Sequence, residues 1–347
     1  MPKRKSHHFI PRFYLRRFSV RNEGKYIGLF NLKNEKFIRH APIKHQACEN
    51  FLYGEDDEVE EALAKMEDKV ARFFYFWTEK NELFPPPPDS TAFTLLKQFI
   101  LYQAFRVPKK GADIMDSLNK NIKSYIQLFD PKLGIELQNK KIGHKNPVLL
   151  SLLNSMKHEN LLNYLDCKIL VNLSTLPFIT SDAPVVFYNQ LMEKANNYVG
   201  ATGFVAKGLQ IFYPIHPRLM ICLYDPQVYD FGQGCENCAG TDSVEAINQL
   251  NALQFINCQS QLFFDDSISE EYIHKLNKEY YSYRGTKKNI NKIVIQNDRK
   301  FFFTSAEEAH INLKLETFQF KLDPDLFKDI ICPLRHPTFQ RPASSFT

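Results

Sequence analysis

The residues best suited to chemistry stand at the start of the chain. The stretch SHHFIPRFYLRRF (residues 6–18) sets adjacent imidazoles, His7 and His8, ahead of a proline that three arginines and three aromatics follow. An imidazole titrates near neutral pH, so it can act as general base, general acid or metal ligand. Adjacent side chains of an extended segment point to opposite faces. One histidine is therefore expected to face a site while the other bonds to the backbone. Arg12 and Arg16 add charge that would follow a polyanion backbone. The alternative is a flexible basic tail, but Phe9, Ile10, Phe13, Tyr14, Leu15 and Phe18 would anchor the segment in a core.

Three further stretches carry polar groups at useful spacing. Glu60 and Glu67 are seven residues apart, almost two helical turns, on one edge of an apolar stripe. Half-buried carboxylates there suit metal binding or acid–base work, and a solvated helix flank is the alternative. In KQFILYQAFRVP (97–108), Gln98, Tyr102 and Arg106 are spaced by four and form a polar file. Arg106, just before Val107-Pro108, either caps the last carbonyls of a helix or offers a fork to phosphate or carboxylate. In PFITSDAPVVF (177–187), an apolar strand delivers Thr180, Ser181 and Asp182 into a turn that Pro184 opens. Sites are often built at such strand ends, although an Asx-turn would use the same aspartate. Cys235 and Cys238 form a lone CxxC, for which zinc would need two more ligands; Cys222 and Cys258 are the nearby thiols. Walker-type, G-x-G-x-x-G, G-x-S-x-G and HExxH patterns do not occur. That argues against P-loop enzymes, common dehydrogenases, α/β-hydrolases and zincin proteases.

The periodicities predict the elements that would position these groups. GKYIGLFNL (24–32) and EKFIRH (35–40) read as a β-hairpin with Lys33-Asn34 at its turn. Helices are expected over 56–80, where Val59, Leu63, Met66, Val70, Phe73, Phe74 and Trp77 share a stripe, and over 91–106, 112–129 and 147–164. The second half reads as short strands at 167–174, 177–182, 184–189, 209–215 and 219–225. A helix at 243–258, a strand at 261–265 and a helix at 268–282 come next, then strands in KIVIQ, KFFFT and HINLKLETFQFKL. The expected class is α+β, a helical N-terminal half packed on a mainly antiparallel C-terminal sheet. The parts would divide into 1–165 and 166–347, or form one intertwined unit.

Composition sets the outer bounds. The 347 residues include 44% hydrophobic and 24% charged, close to ordinary soluble proteins, with 30 Phe and 16 Tyr against one Trp. The net charge of +5 permits polyanion binding. Seven scattered cysteines, no leader-like apolar stretch and no membrane-length apolar run predict a cytoplasmic protein with reduced thiols.

HHFIPRFYLRRF, ENFLYG, VEEALAKMED, FILYQAFRVP and FITSDAPVV ahead of FYPIHP, taken in that order, resemble a bacterial family catalogued as domain of unknown function 4238. The resemblance spans about residues 6–265. Its members open with His-His-x-x-Pro-x-x-Tyr-Leu and carry Thr-Ser-Asp-x-Pro; here Arg12 stands where many members have glutamine. The family's activity is unassigned. The resemblance implies a shared fold and the convergence of His7, His8, Tyr14, Glu67, Arg106, Ser181 and Asp182. The expected function is phosphodiester hydrolysis of a nuclease type. His7, His8, Glu67, Arg106 and Asp182 would be catalytic, with Glu67 and Asp182 holding Mg²⁺ or Mn²⁺. Arg12, Tyr14, Arg16, Gln98, Gln103 and Ser181 would bind substrate. The alternative is a non-enzymatic module binding nucleic acid or protein in a bacterial stress or phage-defence response.

Overall fold

Aromatic anchors decide the fate of the first residues. In the computed structural model, Phe9, Ile10, Tyr14, Leu15 and Phe18 are all buried. The structure describes residues 6–54, 57–197, 200–232, 237–284, 311, 315, 317–330 and 333–339, and the backbone of 288–296 and 299–307. Strand β1 (Ser6–His8) pairs antiparallel with β4 (Cys48–Asn50), opposing His7 to Glu49 and His8 to Cys48. The Phe9 amide then donates to the Ala47 carbonyl at 3.0 Å. Pro11 stands just ahead of the short helix α1 (Arg12–Leu15), where its fixed φ helps the turn begin. Tyr14 on α1 is fully buried and stacks on Tyr213 at 5.0 Å. Its hydroxyl donates to the Pro214 carbonyl at 2.6 Å and meets the Thr180 hydroxyl at 2.5 Å. Tyr14→Phe is expected to cost about 1–2 kcal/mol, the penalty for leaving buried acceptors unmet. Urea denaturation of the two proteins checks this.

The hairpin of β2 (Tyr26–Asn31) and β3 (Lys36–Pro42) does not stand alone. It joins β12 (Gln261–Phe264) and β6 (Thr180–Ser181) in a four-stranded sheet of order β3-β2-β12-β6. Two strands from the first fifty residues thus share a sheet with two from beyond residue 179. Gly28 sits opposite Phe264, where a Cβ would lie 2.4 Å from the phenyl ring.

Two long helices lie against this assembly. Helix α2 (Glu58–Glu79) buries Leu63, Val70, Phe74 and Trp77, the centre of its expected stripe. Glu58, Glu60 and Glu61 in its first turn complement the helix dipole. Asn81 at φ +55° lies just past its end, and the Trp77 indole donates to the Phe84 carbonyl at the polyproline break. Ser90 caps α3 (Thr91–Phe105) by accepting from the Phe93 amide at 3.1 Å. Pro108 opens α4 (Pro108–Phe129), and α5 (Pro131–Leu137) and α6 (Pro147–Met156) complete the helical part. The helix expected over 147–164 stops at Met156, and a separate 3-10 turn spans Glu159–Leu162.

A five-stranded sheet lies between two apolar clusters. It is built from β5 (Asp166–Asn172), β7 (Val186–Tyr188), β8 (Gln210–His216), β9 (Leu219–Tyr224) and β11 (Cys238–Thr241), in the order β11-β5-β9-β8-β7. All its pairs are antiparallel except β11–β5. Along β8 and β9, Ile211, Tyr213, Ile221 and Leu223 enter the cluster shared with α2 and α3. Phe212, Met220, Cys222 and Tyr224 enter the opposite one. Burial on both faces explains why these strands read as continuous apolar runs.

The small helix α7 (Gln190–Lys194) comes after β7, and β10 (Tyr229–Phe231) after β9. Helices α8 (Val244–Asn257) and α9 (Glu270–Tyr280) flank β12. Strands β13 (Lys288–Gln296) and β14 (Arg299–Glu307) pair antiparallel in a two-stranded sheet of their own. Among the described residues of HINLKLETFQFKL, β15 (Phe318–Phe320) is the strand, paired with β10; residues 310, 312–314 and 316 lie outside the described residues. The class is α+β, but strands and helices occur throughout the chain rather than in separate halves.

Candidate functional site

The C-terminus of α3 delivers a buried cation to the N-terminal segment. Arg106, only 1% exposed, is the residue after the helix, and its amide bonds back to the Tyr102 carbonyl. Its Nη1 donates to Glu67 Oε1 at 2.6 Å. Its Nε and Nη2 both donate to Gln103 Oε1, at 3.0 and 2.5 Å. Gln103 donates in turn to the Phe9 carbonyl at 2.9 Å and so ties the opening segment to α3. Burial alone would weaken the charge on Arg106. The Glu67 carboxylate, with the Tyr53 and Tyr213 phenols beside it, outweighs burial and moves the pKa upward.

The two histidines divide as the pleat of a strand requires. His7 is buried; its ring stacks on Tyr53 at 5.6 Å, and its Nδ1 accepts the Tyr53 amide at 3.4 Å. That bond leaves the ring proton on Nε2, 3.9 Å from Asp57 Oδ1. His8 is half-buried. Its pKa is lowered by burial and by the nearby charge of Arg12, with the Gln46 carbonyl opposing and Arg106 adding to the shift. Its Nδ1 is buried without a hydrogen-bond partner. The imidazole is thus held neutral at pH values where a free histidine has begun to charge.

His7, His8, Arg12, Gln103, Glu67 and Arg106 therefore lie in one neighbourhood. Tyr53 belongs with them, although the residue-by-residue reading of the sequence did not single it out. Its hydroxyl is buried, and burial drives its pKa up against the pull of Arg106, with Glu60 and Glu67 adding to the rise. Asp57 was missed as well. The only signals were the ENFLYG stretch and the acidic run before α2, neither of which has catalytic spacing of its own.

Other expected site residues are engaged in bonds of their own. Asp182 sits at the end of β6, where Oδ1 accepts the Gln259 amide at 2.6 Å and Oδ2 accepts the Ser260 and Gln261 amides at 2.7 and 2.9 Å. The Ser260 hydroxyl also donates to Oδ2 at 3.0 Å. Ser181 is fully buried and donates to Gln254 Oε1 at 3.0 Å. Tyr14 is consumed by the core contacts above. Gln98 and Tyr102 both bind the Glu159 carboxylate, the former at 2.6 Å, so the expected polar file splits before it reaches Arg106. Arg16 is exposed and lays its stem against Gly24. Asp182, Ser181 and Gln98 are thus each held by the bond named here, while Tyr14 reaches the surroundings of Arg106 through Tyr213, on which it stacks.

Glu67 and Asp182 also do not fit a divalent cation as a pair. One is committed to Arg106 and the other to the backbone of 259–261. Among the described residues, no group of three or more His, Cys, Asp or Glu is arranged to hold a metal ion. Cys235 of the CxxC lies outside the described residues. Cys222 and Cys258 are buried, and burial raises both thiols, Cys258 to about 12. Among the described residues, no helix is long and apolar enough to cross a membrane.

A model of a protein family described as "Protein of unknown function (DUF4238)" matches residues 6–267 of the chain. No curated protein and no solved structure matches it.

Proposed function

The chain belongs to the DUF4238 family, and we propose that it hydrolyses phosphodiesters at the cluster around His8, as a nuclease does. One observation carries this reading: the half-buried His8 imidazole stands on a segment that Gln103 ties to Arg106 through the Phe9 carbonyl, with Arg12 exposed on the same segment, and burial and Arg12 lower the His8 pKa. A neutral imidazole accepts a proton, and guanidinium groups draw in a phosphate and stabilise charge gathering on it. In this scheme His8 removes the proton from an attacking water as its oxygen bonds to phosphorus. The bond from phosphorus to the ester oxygen breaks, and the proton is returned to that leaving oxygen. Arg12, exposed at the surface, meets the phosphate first. Glu67 and Gln103 hold Arg106, and His7 holds Tyr53 through its backbone amide.

A second reading, a phosphate-binding module without chemistry, is favoured by the burial of Arg106. Its guanidinium is taken up by Glu67 and Gln103, which leaves Arg12 as the guanidinium open to solvent. One experiment separates the two. Purified protein is incubated with mixed RNA and DNA in Mg²⁺, Mn²⁺ or EDTA, beside His8→Ala. Cleavage that persists in EDTA and falls about 10²-fold or more in the variant supports hydrolysis. The acid limb of its pH–rate profile should lie below the ordinary histidine value of about 6.5. A salt-sensitive gel shift without cleavage supports the binding module. Neither cleavage nor shift overturns both readings.

A further inference from the structure

The charge of this chain is segregated. Residues 6–48 carry nine Lys and Arg against two acidic residues, Glu23 and Glu35. The whole chain is only +5, so the remainder beyond residue 48 is net acidic. The basic excess is also at the surface: Arg21, Lys25, Arg39 and Lys44 are all exposed on or beside the β2–β3 hairpin. A basic excess gathered on one segment of the surface is the electrostatic footprint of a polyanion partner.

The same face carries aromatic surface and a hollow. Tyr26, 44% exposed, meets the exposed His40 ring edge-to-face at 6.3 Å. Beside them lies a half-open cavity of about 150 Å³. At a register shift in β2, Gly28 lets the buried Phe264 ring pack directly over its backbone, and the two together form the floor of the hollow. Phe264 and Phe37, stacked at 5.1 Å, line it, with Arg39 over Phe37 at 5.5 Å. Asp265 and Asp266 stand at its other side; each spends one oxygen locally, on Ser267 and on the Arg21 amide, and keeps a second as acceptor. The volume is well below the ~300–1,000 Å³ of a drug-sized pocket. It suits one planar ring system that offers both donors and acceptors.

We propose that this face binds single-stranded nucleic acid, with one base inserted beside Gly28, a neighbouring base stacked on Tyr26, and phosphates held by Arg21, Lys25 and Arg39. A duplex keeps its bases stacked on each other, so neither the hollow nor the Tyr26 ring reads it. The proposal deepens the phosphodiester reading by giving that site a polymer. From His40 the chain runs six residues to Gln46, whose carbonyl meets His8, a reach of at most about 22 Å.

The test is fluorescence polarisation with a short mixed-sequence oligonucleotide, as single-stranded RNA, single-stranded DNA and duplex DNA, across a salt titration. Single strands should bind more tightly than the duplex. Tyr26→Ala should weaken single-strand binding about tenfold. Arg39→Ala should lower the slope of log affinity against log salt by ~0.7, the value for one phosphate contact on a single strand. Both side chains are exposed, so circular dichroism should show both variants folded. His8→Ala should bind as wild type does; loss of cleavage with binding intact separates the two proposals. Equal affinity for duplex and single strand, no response to Tyr26→Ala, or equal competition by polyglutamate overturns the assignment.

Discussion

Arg106→Ala should destabilise the protein by about 3–5 kcal/mol, the range for breaking a buried ion pair from one side. The guanidinium is 1% exposed and is the common partner of Glu67 on α2 and Gln103 on α3. Its removal leaves the half-buried Glu67 carboxylate without its cation. It also leaves Gln103 Oε1, which accepts both Nε and Nη2, unmet in the core. Gln103 in turn secures the Phe9 carbonyl, so the opening segment should loosen as well. Glu67→Gln should cost less, because its carboxylate is nearer to solvent and the amide oxygen can still accept from Nη1. Urea denaturation of the two variants beside wild type orders the effects. A cost for Arg106→Ala below about 1 kcal/mol, the worth of a surface pair, would mean that this pair does not organise the site. Lysine at this position should not restore stability, because an ammonium cannot serve Glu67 and Gln103 with one planar fork.

The sequence made the helices and the opening segment legible for one reason: their signals are local. The stripe of α2 appears as Leu63, Val70, Phe74 and Trp77 buried on one face. The cap of α3 stands as Ser90 beside the polyproline break. The run of aromatics after His8 announced an anchored segment because no solvated tail hides so much apolar surface. What could not be read was long-range pairing. Nothing in GKYIGLFNL says that β2 will take β12, more than two hundred residues away, as its second neighbour. The same limit explains the site. Glu67 and Arg106 stood out because each is a charge beside an apolar stripe, where burial demands a partner. Their pairing with each other depends on how α2 and α3 cross. The polar file 98–102–106 failed because spacing by four fixes only the side of the helix. Glu159, on a turn the sequence reading merged into a longer helix, took the first two members. The acidic group of the TSDAP stretch reads two ways because an Asx-type anchor and a strand-end catalytic group have the same local sequence.

That last case gives the second large effect. Asp182→Ala should cost about 3–4 kcal/mol and should lower any phosphodiesterase activity only as far as it unfolds the protein. One carboxylate accepts three backbone amides, those of Gln259, Ser260 and Gln261, and one hydroxyl. Removing it strands donors at the entry to β12, each worth about 1–3 kcal/mol where buried and less where water reaches, as it does at the exposed Gln259. β12 links the N-terminal hairpin to β6, so loss of its entry turn loosens the sheet on both sides. Burial pushes the Asp182 pKa up, and the four hydrogen bonds pull back without reversing the shift. The folded state therefore holds this proton more tightly than the unfolded chain. The linked stabilisation is fully present below the ordinary aspartate value of about 3.9 and is lost as pH rises through the higher folded value. Asp182→Asn removes that titration, so its cost relative to wild type should grow as pH falls through this window. Urea midpoints of wild type and Asp182→Asn at pH 7 and at pH 5 measure the difference. A cost that shrinks toward pH 5 would mean a carboxylate stabilised in its charged form, with the hydrogen bonds outweighing burial. An Asp182→Ala protein of unchanged stability with no activity would return this residue to the catalytic centre.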